Sequence, residues 1–126
     1  MKIIFGIDPG VTTGICVYND QTFRTGMIAK SIYEIINLIS SWSPNIVVME
    51  NFIIGPRPSI AVPVIKIIGA IEFYCGDNQI PIHLQSPSVL KLMLPRVAGI
   101  YPSPHVRSAC AHVMYYLLKN KERIKE

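Results

Sequence analysis

Lys2-Ile3-Ile4-Phe5-Gly6-Ile7-Asp8-Pro9-Gly10-Val11-Thr12-Thr13-Gly14 is the stretch whose reading decides the fold. An apolar run ends in an acid, a Pro-Gly turn follows, and another glycine comes soon after. This pattern predicts a buried strand that delivers one carboxylate, Asp8, to a tight bend. Ile15-Cys16-Val17-Tyr18 is rich in strand formers, and Asn19-Asp20 is a turn signal leading to a third strand over 22–27. Three strands joined by short turns make an antiparallel meander.

Beyond the meander, Ile32, Ile35, Ile36, Ile39 and Trp42 recur at helical spacing after Ser31, and Ser43-Pro44 closes that helix. Residues 45–50 are a short, continuously apolar strand ending in Glu50, the pattern of a central strand buried on both faces. Gly55-Pro56-Arg57-Pro58-Ser59 reads as a loop. The helix predicted over 60–76 is apolar nearly all the way round, so it is either internal or covered by a partner chain. In so small a domain a dimer interface through Val64, Ile67, Ile68 and Ile71 is the favoured reading. Residues 80–84 alternate as a last strand, with Pro81 at its start or on an edge. Ser86-Pro87 and Ser103-Pro104 each pair an N-cap residue with a proline suited to a first helical position, predicting helices to Leu94 and to about Lys121. On the last helix Val106, Ala109, Cys110, Val113 and Leu117 form an apolar face, and His105, Ser108 and His112 share the other.

Composition bounds the answer. The 126 residues make one domain, half of them hydrophobic and 16% charged, which places the chain among folded globular proteins. Twelve Lys and Arg against eight Asp and Glu give a net charge of +4, compatible with a nucleic-acid partner. Cys16, Cys75 and Cys110 are odd in number and sit in apolar segments, as expected of reduced core residues rather than a disulfide framework or a metal pair. Asp8-Pro9-Gly10 interrupts the only apolar run near the start, and Pro63, Lys66 and Glu72 interrupt the most apolar long window. A soluble cytoplasmic protein is therefore expected, with neither signal peptide nor membrane span.

Asp8 and Glu50 end strands expected to be neighbours, which would bring two carboxylates to one edge of a sheet. Hard divalent cations take oxygen ligands of this kind and complete their coordination with water and substrate phosphate. Two such ions, about 3.5 to 4 Å apart, can clamp the attacking and leaving oxygens of a phosphodiester. Acids at strand ends are common, and alone they favour a structural role over a catalytic one.

A series of motifs in order adds to this reading. Phe5-Gly6-Ile7-Asp8-Pro9-Gly10 with Thr13-Gly14, then Val47-Val48-Met49-Glu50-Asn51-Phe52, Ile67-Ile68-Gly69-Ala70-Ile71, Ser86-Pro87-Ser88-Val89-Leu90-Lys91 and His105-Val106-Arg107-Ser108-Ala109 together resemble the RuvC family of Holliday junction resolvases. The shortness resembles the compact bacteriophage type. The resemblance covers nearly the whole chain. It implies an α/β, RNase H-like fold, a five-stranded mixed sheet flanked by helices, in a single domain. It also implies a homodimeric endonuclease that cuts four-way DNA junctions in paired nicks with Mg2+ or Mn2+, in a bacterial or phage-infected host cell. In that scheme Asp8, Glu50 and His105 bind metal, Asp8, Glu50, His105 and Ser108 form the catalytic set, and water attacks in line to leave a 3′-hydroxyl and a 5′-phosphate.

Two departures qualify the resemblance. Ser108 stands where the family pattern has an acid, and a hydroxyl is a poor Mg2+ ligand beside a carboxylate. Three readings stay open: a site that works with fewer charges, one with weakened metal binding, and a variant whose catalysis is disabled, whether native or engineered. The segment after Lys91 is also short, cut down to Pro95-Arg96-Val97-Ala98-Gly99.

For DNA, the expected phosphate contacts are Arg57, Lys66, Lys91, Arg96 and Arg107, which would position a duplex without reading its sequence. Phe52 is a candidate for stacking on an unpaired base, with core packing an equal alternative. His112 is a candidate for supporting the metal ligands, and His83 has no assigned role. The competing functions are a junction-binding protein with weak or no nuclease activity and a general RNase H-like nuclease. A sugar-kinase or actin-like ATPase shares the strand-turn signature but needs a second lobe for which the chain is too short.

Overall fold

The computed structural model describes residues 2–51 and 58–120. Its element order is β1 (Ile3–Asp8), β2 (Thr13–Asn19), β3 (Thr22–Ala29), α1 (Ile32–Trp42), β4 (Ile46–Glu50), α2 (Pro58–Asp77), β5 (Ile82–Gln85), α3 (Val89–Val97) and α4 (Pro104–Lys119). The strands form one sheet in the order β3-β2-β1-β4-β5. The first three are an antiparallel meander, and β4 and β5 join parallel to β1. This is the expected five-stranded mixed sheet, with helices on both faces.

Local chemistry explains the turns. Asp20 and Gln21 both have positive φ, 53° and 65°, so β2 and β3 are joined by a two-residue turn whose twist suits a hairpin. The buried Thr13 hydroxyl donates to the Gly10 carbonyl at 2.7 Å and accepts the Gly10 N–H at 3.3 Å, closing the bend that follows Asp8. Ser31 caps α1 by accepting from Glu34 N, and Ser43 ends it in the left-handed region.

Strand alternation divides the core. Phe5 and Ile7, Ile15 and Val17, Val47 and Met49 face α1 and α2, packing with Ile35, Ile39, Ile67, Ile71 and Cys75. The alternate residues face α3 and α4: Cys16 packs with Val106, Ala109 and Cys110, while Ile4, Tyr18 and Val48 meet Val113 and Leu117. All three cysteines are free and buried, as expected. Cys16 and Cys110 meet at 2.7 Å between sulfurs, and burial together with this neighbour pushes the Cys16 thiol well above its ordinary range. Among the described residues no helix is long and apolar enough to cross a membrane.

Three expectations are corrected. The helix predicted to open at Ser86-Pro87 begins at Val89, because the Ser86 and Pro87 carbonyls accept from Val89 and Leu90 N–H in turns and the Ser86 hydroxyl accepts from Ser88 N. It also continues through Pro95 to Val97. The second correction concerns α2, which has a solvent-facing side: Val62, Ile65 and Phe73 are exposed, as are Lys66, Gly69 and Glu72. Ile67 and Ile71, expected in a dimer interface, are buried in the subunit's own core, and Ile68 packs against the same cluster; Val64 is half-buried. Helical period decides this, since positions 67, 71 and 75 share the face turned to the sheet. The third correction, at His112, belongs to the site.

Glycines let α4 lie directly on the sheet. A Cβ at Gly6 would sit 2.5 Å from the Ala109 carbonyl oxygen, and one at Gly14 would collide with the backbone of His105 and Val106. Gly14→Ala is therefore expected to destabilise the fold by roughly 1–3 kcal/mol, the usual cost of overpacking. Gly69→Ala, with nothing within 4 Å of the added carbon, should leave subunit stability unchanged or raised. Thermal unfolding of the two variants side by side checks the contrast.

Candidate active site

The site follows from sheet parity. In β1, Ile4 and Gly6 face α4, so Asp8 does too; in β4, Val48 faces α4, so Glu50 does. Parallel pairing of β1 with β4 runs through Ile7 and Met49, which makes Asp8 and Glu50 the next residues in register at the carboxyl ends of adjacent strands. Glu50 pairs in turn with Gln85 at the end of β5. Three polar side chains from three neighbouring strands thus meet the same helix.

Helix α4 supplies the other wall. Ser103 caps it through Val106 N, and Pro104 occupies the first turn. Gly14 is the cross-strand partner of Asp8, and the His105 backbone rests on Gly14, so the first turn of α4 is held beside the acid. His105 is exposed and Ser108 half-buried. The Ser108 hydroxyl donates to the Pro104 carbonyl at 3.1 Å and lies near enough to Asp8 to offer that proton to it instead, one acceptor at a time.

His112 meets Glu50, as a residue supporting the acids would, but from a position the sequence reading did not give it. It does not share an open face with His105 but is fully buried, with Nε2 3.1 Å from Glu50 Oε1 and Nδ1 3.0 Å from Gln85 Nε2. Gln85 Nε2 also donates to the His112 carbonyl at 2.9 Å. The helical spacing that grouped His112 with His105 spans nearly two turns, and α4 lies flat enough on the sheet to bury the later position. Gln85 was missed altogether; its place one residue before Ser86-Pro87, at a strand end, is the only signal that pointed to it.

Crowding of acids shapes the electrostatics. Burial, and then the charge of Glu50, push the Asp8 carboxyl from 3.8 up to about 6, against the opposing pull of His112, His105 and the Ser108 hydrogen bond. Folded Asp8 therefore holds its proton between about pH 4 and 6, where the unfolded chain has released it. The unfolded state binds fewer protons in that window, so this group's contribution falls as pH rises from about 4 to about 6 and levels off above. Thermal unfolding of metal-free protein across this window should show a downward slope that Asp8→Asn flattens.

The remaining expected residues are placed unevenly. Lys66, Lys91 and Arg96 are exposed. Arg107 is engaged within the chain, its Nη1 donating to the Tyr101 and Pro102 carbonyls at 2.9 and 2.8 Å. Phe52 and Arg57 lie outside the described residues. His83 stacks at a tilt on Tyr116, ring centroids 5.3 Å apart.

The resemblance read from the sequence implies a divalent cation, and the donor set can be tested against it. Among the described residues no group of three or more His, Cys, Asp and Glu side chains forms a ready cage. What the site does hold is two crowded carboxylates, one with its proton affinity raised by burial and by the other's charge. That set fits an ion of the Mg2+ class, which binds through one or two carboxylates together with substrate phosphates.

No protein-family model matches the sequence, and no curated protein matches it. Solved structures do. RuvC of T. thermophilus in complex with a Holliday junction substrate superposes with a TM-score of 0.81 at 16% identity, over 96% of each chain. This chain has the RuvC fold. A second Thermus thermophilus RuvC structure gives a TM-score of 0.73 at 16% identity, over 94% of this chain and 96% of that one. The Fowlpox virus resolvase bound to Holliday junction DNA gives 0.66 at 11% identity, over 94% of this chain and 98% of that one. Coverage is near-complete in both directions, 94–96% of this chain, and Asp8 and Glu50 end the adjacent strands β1 and β4 of the shared sheet.

Proposed function

We propose that this protein is a metal-dependent, structure-selective endonuclease that resolves four-way DNA junctions by paired nicks as a homodimer. The observation that carries the reading is the convergence of Asp8 and Glu50 on the α4 side of adjacent strand ends, within a fold that two solved structures show bound to junction DNA in other proteins. Asp8 and Glu50 would hold the cation, and His105 would add a donor from the first turn of α4. Bound Mg2+ or Mn2+ supplies positive charge where negative charge develops on the phosphodiester. Ser108 would orient Asp8 when its hydroxyl turns from the Pro104 carbonyl towards the acid. Lys66, Lys91 and Arg96, exposed and cationic, would contact phosphates, and Arg57 and Phe52 join them as proposed DNA contacts. For Arg107 one guanidinium nitrogen is committed to the 101–102 turn, leaving the others for a phosphate.

Paired nicks need two sites in one complex. The exposed stripe Val62, Ile65 and Phe73, with Gly69 between them and open space over its Cβ, is the apolar surface of α2 that a second copy would cover. It replaces Ile67 and Ile71 as the proposed interface.

Ser108 supports a second reading, a protein that binds junctions and cuts them weakly or not at all. Ser108→Asp separates the two: restoring a carboxylate beside Asp8 should raise the rate of junction cutting about tenfold or more if the site is catalytic. Cleavage assays on synthetic junction, flap, duplex and RNA–DNA hybrid test the substrate. Preference for the junction is expected, and equal cutting of all four would replace this reading with a general nuclease.

A further inference from the structure

Gln85 and His112 form a buried polar pair that the proposed nuclease chemistry does not by itself require. His112 is fully buried, and Gln85 is 6% exposed. Their hydrogen bonds admit one assignment. The His112 backbone carbonyl can only accept, so the Gln85 group 2.9 Å from it must be the amide nitrogen, not its oxygen. That same nitrogen lies 3.0 Å from His112 Nδ1, so its second proton points at the ring and Nδ1 must accept. Nδ1 then carries no proton, and the proton of the neutral imidazole resides on Nε2, 3.1 Å from Glu50 Oε1. Gln85 Oε1 is left buried without a hydrogen-bond partner. Turning the amide over would set that oxygen against the His112 carbonyl, which can only accept, so the orphaned oxygen accompanies the only workable orientation.

We propose that Gln85 and His112 are positioning residues that fix Glu50: the glutamine amide sets the imidazole tautomer, and the imidazole holds Glu50 Oε1. The second carboxylate oxygen is thereby left for a divalent cation shared with Asp8. The relay runs from the end of β5 through α4 to the end of β4, so it also ties the helix that bears His105 and Ser108 to the strand that bears Glu50. The role of the cation rests on the nuclease reading above; the tautomer does not. A merely structural pair would fill space and satisfy hydrogen bonds with either ring nitrogen protonated, whereas this one specifies Nε2–H.

Nitrogen-15 spectra of histidine-labelled, metal-free protein test the tautomer directly, and calorimetric titration with Mn2+ tests its consequence. Wild type is expected to show His112 as the neutral Nε2–H form. Gln85→Met, similar in length but without the donor, should give a mixture of tautomers. It should also weaken Mn2+ binding by about 10- to 100-fold, the usual cost of losing a partner behind a metal ligand. His112→Gln, whose amide can still donate towards Glu50, should bind Mn2+ more tightly than His112→Phe. Circular dichroism identifies which variants fold, and if none does, the wild-type tautomer alone decides. A wild-type protein that binds Mn2+ with His112 protonated on Nδ1 overturns the positioning role and leaves the nuclease reading standing. Unchanged Mn2+ affinity in folded Gln85→Met and His112→Phe does the same. An Nε2–H ring in a protein that binds no Mn2+ overturns the nuclease reading, and the purpose assigned to the pair with it.

Discussion

Asp8→Asn is expected to abolish junction cutting while making the metal-free protein more stable. The two effects have one cause. Asp8 is an acid forced towards neutrality by burial and by Glu50, and its carboxyl is raised to about 6. Above that pH the folded chain carries two crowded negative charges that a bound cation would relieve. Asparagine removes one charge and fits the same space. Stability at neutral pH should rise by roughly 1–2 kcal/mol, the rise from 3.8 to about 6 discounted for the solvent that still reaches the group. Cutting should fall about a thousandfold, since a lost metal ligand forfeits several kcal/mol of charge stabilisation at the phosphodiester. Junction binding should persist, because phosphate contacts by Lys and Arg do not depend on Asp8. Thermal unfolding in chelator and single-turnover cleavage measure the two effects. A variant that is both inactive and less stable would mean that Asp8 has a structural role instead.

A double substitution on α2, Ile65→Glu with Phe73→Glu, should give folded monomers that no longer resolve junctions. Both side chains are exposed in the subunit, so the fold has little to lose. Burying two carboxylates in an apolar contact should weaken association about a thousandfold or more, taking about 2 kcal/mol for each central position. Sedimentation of the wild type and the double variant, followed by cleavage of a junction labelled on all four strands, reads both consequences. A double variant that remains dimeric and cuts in pairs places the interface elsewhere. Ile67 and Ile71 are the wrong positions for this test, since a charge there would disrupt the core.

Much of this arrangement was legible in the sequence because strand and turn signals are local. The run from Ile3 to Asp8, the turn at Asn19-Asp20 and the apolar strand before Glu50 each declare themselves within a few residues, and their order gives the sheet. The facing of α2 was not legible. Its apolar residues occupy every side, and only contact with Ile35 and Ile39 shows which side turns inward. Nor was the partnership of Gln85 with His112, 27 residues apart, whose meeting depends on how deeply α4 sits on the sheet. That depth is set by Gly6 and Gly14, which read in the sequence as turn and strand glycines. The two acids were found as strand ends, and the helix positions set beside them, His105, Ser108 and His112, do meet them; what the sequence did not show is that His112 is buried there.

Incubation of the wild-type protein with a four-way junction and Mg2+ or Mn2+, all strand ends labelled, tests the central claim most directly. Paired nicks on two strands of like polarity, absent in chelator and absent in Asp8→Asn, are the expected result. Tight junction binding with no strand cut in either metal, in the wild type and in Ser108→Asp alike, would contradict it.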